Sequence, residues 1–512
     1  MRFVYDNLAV LHVALVVSLT AWLFGGTQSD ILLAYLPWAF LLSCEVLLFF
    51  PQKRGGESTF EARARTWAHL KRDPLLYVSL ALLILLAIPF VNNGLCRSCD
   101  RALVAAGCAV EPPIPFLPFC VNRLQHLNVY LWFATALSLA LVVRHALSRR
   151  GKRLLLELIV WNGFLLAVLG FVQTVTEAPG PLWKPFTNVT SAGTFFSTFG
   201  YPNMAGDYFT TLFAVAIALW RRSDDEAYDL YINDRNEYEK HRSSRFFRRH
   251  YHLVHAAIFF CAAVNTLSRA AMILVTVLSA VFFVHAFLSF ARRMTLADRV
   301  RKGTIALGLT ALVVFFMVRS VPDSVQSELD TLNTDAVLTR VTGKGQYHAR
   351  VATEIWKDNV LFGCGGWGYK HFSIPKMTIE ERKNIQSIGG INVHNDYLQF
   401  LAEHGLVGFG LMVAAVILLL VPVASAWRQL YRNVRFVSAE FLPARPVALF
   451  VLPASVFAIL AGLLATLVHS FGDCPLRSAA VLVLFFVLLS ALPGFLPGDA
   501  QPSEENHHHA SR

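Results

Sequence analysis

Apolar runs of about twenty residues recur along the whole chain and constrain its fold more than any other feature. A bilayer core of about 30 Å needs roughly 20 apolar residues per helix, and about twelve segments qualify. They lie near residues 8–25, 31–50, 74–92, 128–146, 154–176, 201–220, 253–268, 270–291, 303–321, 406–427, 446–469 and 477–496. A 512-residue chain that is 55% hydrophobic and 15% charged, with mean hydropathy +0.49, carries too much apolar surface for a soluble core of ordinary proportions. The expected class is an all-α polytopic membrane protein. The first run has only Arg2 ahead of it and no small-residue cleavage site behind it, so it reads as a retained span and not a signal peptide.

The net charge of +11 would suit a nucleic-acid binder, but the basic residues cluster in short segments between apolar runs. Lys53, Arg54, Arg63, Arg65, Lys71 and Arg72 fill one loop, and Arg144 through Arg153 a second. Further sets run from Arg221 to Arg249, from Arg292 to Lys302 and from Arg428 to Arg445. They occupy every second loop, which places both termini and the basic loops in the cytoplasm and makes no nucleic-acid partner the expectation. The run from Leu253 to Ala291 tests this scheme. As one helix it would reach about 58 Å, nearly two hydrocarbon thicknesses, so it must turn near Asn265-Thr266-Leu267-Ser268-Arg269 at the outer face.

The outer loops are unequal. Residues 93–127 hold Cys96, Cys99, Cys108 and Cys120, which an oxidising compartment would permit to pair in any of three ways. Cys96 and Cys99 have neither a thioredoxin-like setting nor a second ligand pair. The largest loop, 322–405, has structure of its own: a helix over Tyr347 to Asn359, then Gly363-Cys364-Gly365-Gly366-Trp367-Gly368, a tight turn with close backbone approach. A second helix should begin near Asn395 or Asp396, where Asp396 and Gln399 have capping-box spacing. Residues 221–252 read as a charged surface segment, and His507, His508 and His509 as a solvated run.

The sequence from Val393 through His394-Asn395-Asp396-Tyr397-Leu398 to Glu403-His404-Gly405-Leu406-Val407-Gly408 leads a polar histidine straight into an apolar span. It resembles the histidine motif of the O-antigen ligase and O-antigen polymerase superfamily of membrane glycosyltransferases. The resemblance covers roughly residues 185–480. Ser268-Arg269 resembles the family's Ser-Arg turn, and Arg350, leading to the Gly-rich segment, its second arginine. Phe199-Gly200-Tyr201-Pro202-Asn203 resembles its motif ahead of the sixth span, and His469 through Asp473 to Leu476 its late outer-loop motif. The resemblance implies a GT-C-like architecture and a division into an N-terminal membrane region (1–184), a ligase-like domain (185–480) and a last helix with tail (481–512).

It also implies the chemistry: transfer of a glycan, with inversion, from undecaprenyl diphosphate to a sugar hydroxyl such as that of lipid A-core. Arg269 and Arg350 would hold the diphosphate, since a guanidinium offers phosphate a bidentate fork and never loses its proton. His394 would be the base, because an imidazole with an ordinary pKa of about 6.5 accepts a proton at neutral pH. Asn203, Asn395, Glu403 and Asp473 would support them, with membrane lipid as the surrounding partner, no cofactor and no metal. Each residue also has a plain structural use: Arg269 at the lipid interface, Arg350 in an i,i+4 pair with Glu354, Glu403 as an anchor, Pro202 as a first-turn residue. Glu403 and His404 are adjacent and point apart on a helix, so zinc is not expected there. The implied site faces the periplasm of a bacterial inner membrane. A repeat-unit polymerase shares this chemistry, as does a protein O-glycosyltransferase. A transporter or flippase is the rival of another class, against which stand the absence of a visible inverted repeat and of charges at most span centres.

Overall fold

The computed structural model describes residues 2–51, 56–93, 112–184, 195–233, 242–291, 345–384, 392–441 and 452–496. Those residues form helices and short turns, with two isolated bridges and no extended strand among them. In chain order the helices are α1 (Arg2–Trp22), α2 (Ser29–Phe49), α3 (Thr59–Arg72), α4 (Pro74–Ala87), α5 (Arg123–His145), α6 (Arg149–Val175), α7 (Pro202–Asn233) and α8 (Arg242–Asn265). They continue as α9 (Arg269–Ala291), α10 (Gly345–Asp358), α11 (Gly368–Lys376), α12 (Ile379–Asn384), α13 (Asp396–Phe441), α14 (Ala454–His469) and α15 (Ala479–Ala491).

Local chemistry sets many of the boundaries. Ser58 and Glu61 close a capping box on α3, and Asp73 caps α4 with Pro74 in the first turn, where a missing N–H costs nothing. Asn122 and Ser148 cap α5 and α6. Asp73 also pairs with Arg144 (2.6 Å) and His145 (2.8 Å), tying α4 to the end of α5. The long apolar run breaks where its length demands: α8 ends at Asn265, Leu267 turns with φ +60°, and Ser268 accepts from Ala271 N to start α9.

Helix α5 is the axis of one half, packed on α2 and α15, whereas α7 organises the other against α8, α14 and α9. In its apolar window α5 is 89% buried and α13 only 22%, which separates a central helix from one facing outward. Among the described residues five helices are long and apolar enough to cross a membrane: α2, α5, α6, α9 and Asp396–Arg432 of α13. The pair α3–α4, bent by 68°, would make six, while α1, α14 and α15 are apolar but shorter. By that measure the described residues fall short of the expected twelve. The 303–321 run and the start of 446–469 lie outside them.

Helices α10 to α12 form a cap on the start of α13, with their own small core of Val351, Ala352, Ile355, Cys364, Tyr369, Met377, Val393 and Ala402, joined by Phe119. Its attachment is a backbone join. Cys364 N and Gly365 N donate to Ala402 O and Glu403 O (3.0 and 2.8 Å), and Leu406 N and Val407 N to Val360 O and Leu361 O (2.9 and 3.1 Å). The ladder is possible because α13 breaks at Gly405 (φ +63°) and because Gly363 has no side chain: a Cβ there would sit 2.3 Å from Glu403 C. The Gly-rich segment is thus the backbone-close turn its composition predicts.

Of the four cysteines expected to pair, Cys96, Cys99 and Cys108 lie outside the described residues. Cys120 is a buried free thiol directed at Pro89 O and Asn93 Oδ1.

Candidate active site

His394 sits in the left-handed region (φ +53°), immediately before α13. For a side chain with a Cβ this conformation is strained and persists only when its surroundings hold it. They hold it on both sides. Val393 N donates to Gln399 Oε1 (3.0 Å), and Asn395 caps the helix by accepting from Leu398 N (3.0 Å). The helix begins where the sequence predicts, but the expected Asp396–Gln399 box does not form. Asp396 instead takes Ser470 Oγ (3.0 Å) and Leu476 N (2.9 Å), which brings the 470–477 turn against the start of α13. Asn395 Nδ2 donates to Phe471 O in the same turn.

That turn delivers Asp473 to His394, whose Nδ1 lies 3.4 Å from Asp473 Oδ1. The carboxylate also accepts from Tyr201 Oη (2.9 and 3.0 Å to its two oxygens), Asn203 Nδ2 and Cys474 N (2.7 Å). Burial alone would raise its pKa, but the His394 hydrogen bond and nearby positive charge hold it well below the usual carboxylate range. Burial and the neighbouring carboxylate push the Tyr201 phenol well above its ordinary value, so it stays a donor. The chain of contacts goes on: Ser268 Oγ donates to Asn203 Oδ1 (2.6 Å), and Arg269 follows as the first residue of α9. Segments far apart in sequence thus meet around one acid.

From the cap, His348 brings its ring to 5.9 Å from that of His394 and pairs through Nδ1 with Tyr369 Oη (2.9 Å). Burial first, then the His394 charge, lowers its pKa to about 4. Arg350, two residues on, faces another way, since residues at i and i+2 of a helix do not share a face. It lies exposed on α10, paired with Glu354 (2.8 Å) and Glu381 (2.9 Å). The structure therefore brings His394 and Asn203 to Asp473, sets Asn395 against the same turn, places Arg269 next in the chain to Ser268, and leaves Arg350 on the cap surface.

Glu403 stands below the site. It accepts from Gln399 Nε2 (3.2 Å) and Arg477 Nη1 (3.0 Å), while the Arg477 guanidinium stacks 4.2 Å over Trp367. Sequence reading missed Arg477 and His348, and only the order of motifs hinted at Tyr201 and Asp473 as direct partners. Beside the site, Trp132, Phe133, Phe400, Met412 and Phe485 line a cavity of about 270 Å³, with Asp396 and Glu403 among its walls.

Apolar helices of spanning length define a multi-pass membrane protein, with the His394–Asp473 contact beside the start of α13. Residues 254–413, less than a third of the chain, match the family model described as O-antigen ligase. That span holds Arg269, Arg350, His394, Asn395 and Glu403, whereas Asn203 and Asp473 lie outside it. No curated protein matches the chain.

Proposed function

We propose that the protein is an O-antigen ligase-type glycosyltransferase, acting at the periplasmic face of a bacterial inner membrane and moving a glycan from undecaprenyl diphosphate to a sugar hydroxyl such as that of lipid A-core. The observation that carries this reading is the His394–Asp473 contact. With Nδ1–H donated to the carboxylate, Nε2 keeps its lone pair for the acceptor hydroxyl, and Asp473 stabilises the imidazolium that forms. The acceptor oxygen bonds to the anomeric carbon as the bond to the diphosphate breaks with inversion. The proton goes to Nε2 and the electron pair to the diphosphate.

Arg269 would take the growing charge, in place of a divalent ion, while Arg350, on the cap surface, would capture the diphosphate of the arriving donor. Arg350 would exchange its carboxylate partners for phosphate at small cost, because exposed ion pairs contribute only about 0.2–1 kcal/mol. The cavity beside the site suits an apolar chain. In domain terms, 185–480 would carry the chemistry and 1–184 and 481–512 the remaining membrane framework.

Reconstitution with a lipid-linked glycan and separate acceptors tests the proposal. Release of undecaprenyl diphosphate only when lipid A-core is present, insensitive to EDTA, is the expected result. A ladder growing on the lipid carrier without core would make the protein a polymerase, and an intact lipid-linked glycan carried across the bilayer would make it a transporter.

A further inference from the structure

Beside the His394–Asp473 pair lies a sulfur, Cys474 Sγ, that the proposed transfer does not need. Cys474 is 1% exposed, and its Sγ stands 3.3 Å from Asp473 Oδ1, the same oxygen that lies 3.4 Å from His394 Nδ1. The three ligand atoms all fall within 4.8 Å of one another. Tetrahedral zinc with bonds of about 2.0–2.3 Å sets its ligand atoms roughly 3.3–3.8 Å apart. Two edges of such a tetrahedron are therefore already at length, and the third, from His394 Nδ1 to Cys474 Sγ, is within 4.8 Å. Tyr201 and Asn203 hold the far oxygen Oδ2, as the partners of a metal-bound carboxylate do, while Tyr201 Oη and Cys474 N also donate to the ligating Oδ1. A nitrogen, a carboxylate oxygen and a sulfur form a set for borderline-soft ions, whereas magnesium and calcium require oxygen.

We propose that His394, Asp473 and Cys474 form a binding site for a thiophilic divalent cation, with zinc as the type, and that its occupancy silences the enzyme. Binding takes the Nδ1 lone pair, so the single proton of the neutral ring moves to Nε2. The Cys474 thiol gives its proton to water and binds as thiolate. The nitrogen that would accept the acceptor's proton then has no lone pair, and the hydrogen bond by which Asp473 stabilises the imidazolium is replaced by a metal bond. A water fills the fourth position from the exposed side of His394. The silencing rests on the base role given to His394 above. The binding rests on geometry alone.

Cobalt(II) reports the site directly. The purified full-length protein in lipid nanodiscs should show thiolate-to-cobalt charge-transfer absorption that zinc displaces and magnesium does not. Cys474→Ser should remove that band and weaken zinc binding on the order of tenfold or more. His394→Gln should weaken it likewise, which keeps the test decisive if the first variant does not fold. Zinc should then inhibit transfer by the wild type and EDTA should reverse it. No thiolate band, or wild type and variants that titrate alike, would overturn the site. Zinc bound with transfer undiminished would overturn the silencing and the base role together. The cobalt titration decides the site even for a protein that transfers no glycan.

Discussion

Two charged clusters lie near the junction of cap and bundle, and they are built in opposite ways. Around Asp473 the charge is buried and saturated, with donors from Tyr201, Asn203, His394 and Cys474 converging on one carboxylate. Around Arg350 it is exposed, a guanidinium between Glu354 and Glu381 on the surface of α10. A buried acid cannot shed its partners without a penalty of desolvation, so it fixes geometry. An exposed pair is screened and weak, so it can trade one anion for another. The first arrangement suits the orientation of a base, the second the capture and release of a charged ligand.

The contrast breaks or sharpens by experiment. His394→Ala should show the largest effect, a loss of about 10²–10⁴ in turnover with lipid-linked donor still bound. A loss of the same size from Arg350→Ala, seen in turnover and not in donor KM, would erase the distinction between the clusters. Asp473→Asn should also lower turnover, by up to about 10⁴, because an amide can keep the ring in place while favouring the wrong tautomer.

Gly405→Ala strikes the join and not the chemistry. A Cβ there would stand 2.3 Å from Leu361 C on a backbone at φ +63°, and a cost of about 1–3 kcal/mol should appear as a lower Tm and as proteolysis of the cap. His348 gives a pH dependence of the cap. Buried at a pKa of about 4, it would bind its proton near 6.5 when unfolded, so its contribution is fully present above pH 6.5 and is lost as pH falls toward 4. Hydrogen exchange of α10 and α11 should quicken across that window, less so in His348→Gln. The smallest effect belongs to Glu354→Gln, under about 1 kcal/mol in stability, since Glu381 still holds Arg350.

The features legible in the sequence are those governed by length or local spacing. The turn at 265–269 follows from the thickness of a bilayer, the start of α13 from a polar residue ahead of an apolar run, and the tight 363–368 segment from its glycines. What escaped depends on partners distant in the chain. Asp396 has the right spacing to cap with Gln399, yet a turn more than seventy residues later claims its carboxylate and leaves the cap to Asn395. Arg350 matches a motif, but helical geometry turns it from His348 and the site. Arg477 has no local signal at all, since only the fold sets it over Trp367 and against Glu403.

The late position of Asp473 has a consequence for how the protein is made. Asn203, Ser268 and His394 emerge from the ribosome before the acid that gathers them, and the start of α13 gains its hydrogen bonds to the 470–477 turn only after that turn is made. A nascent chain truncated anywhere before that turn therefore holds His394 without the acid it meets in the folded protein.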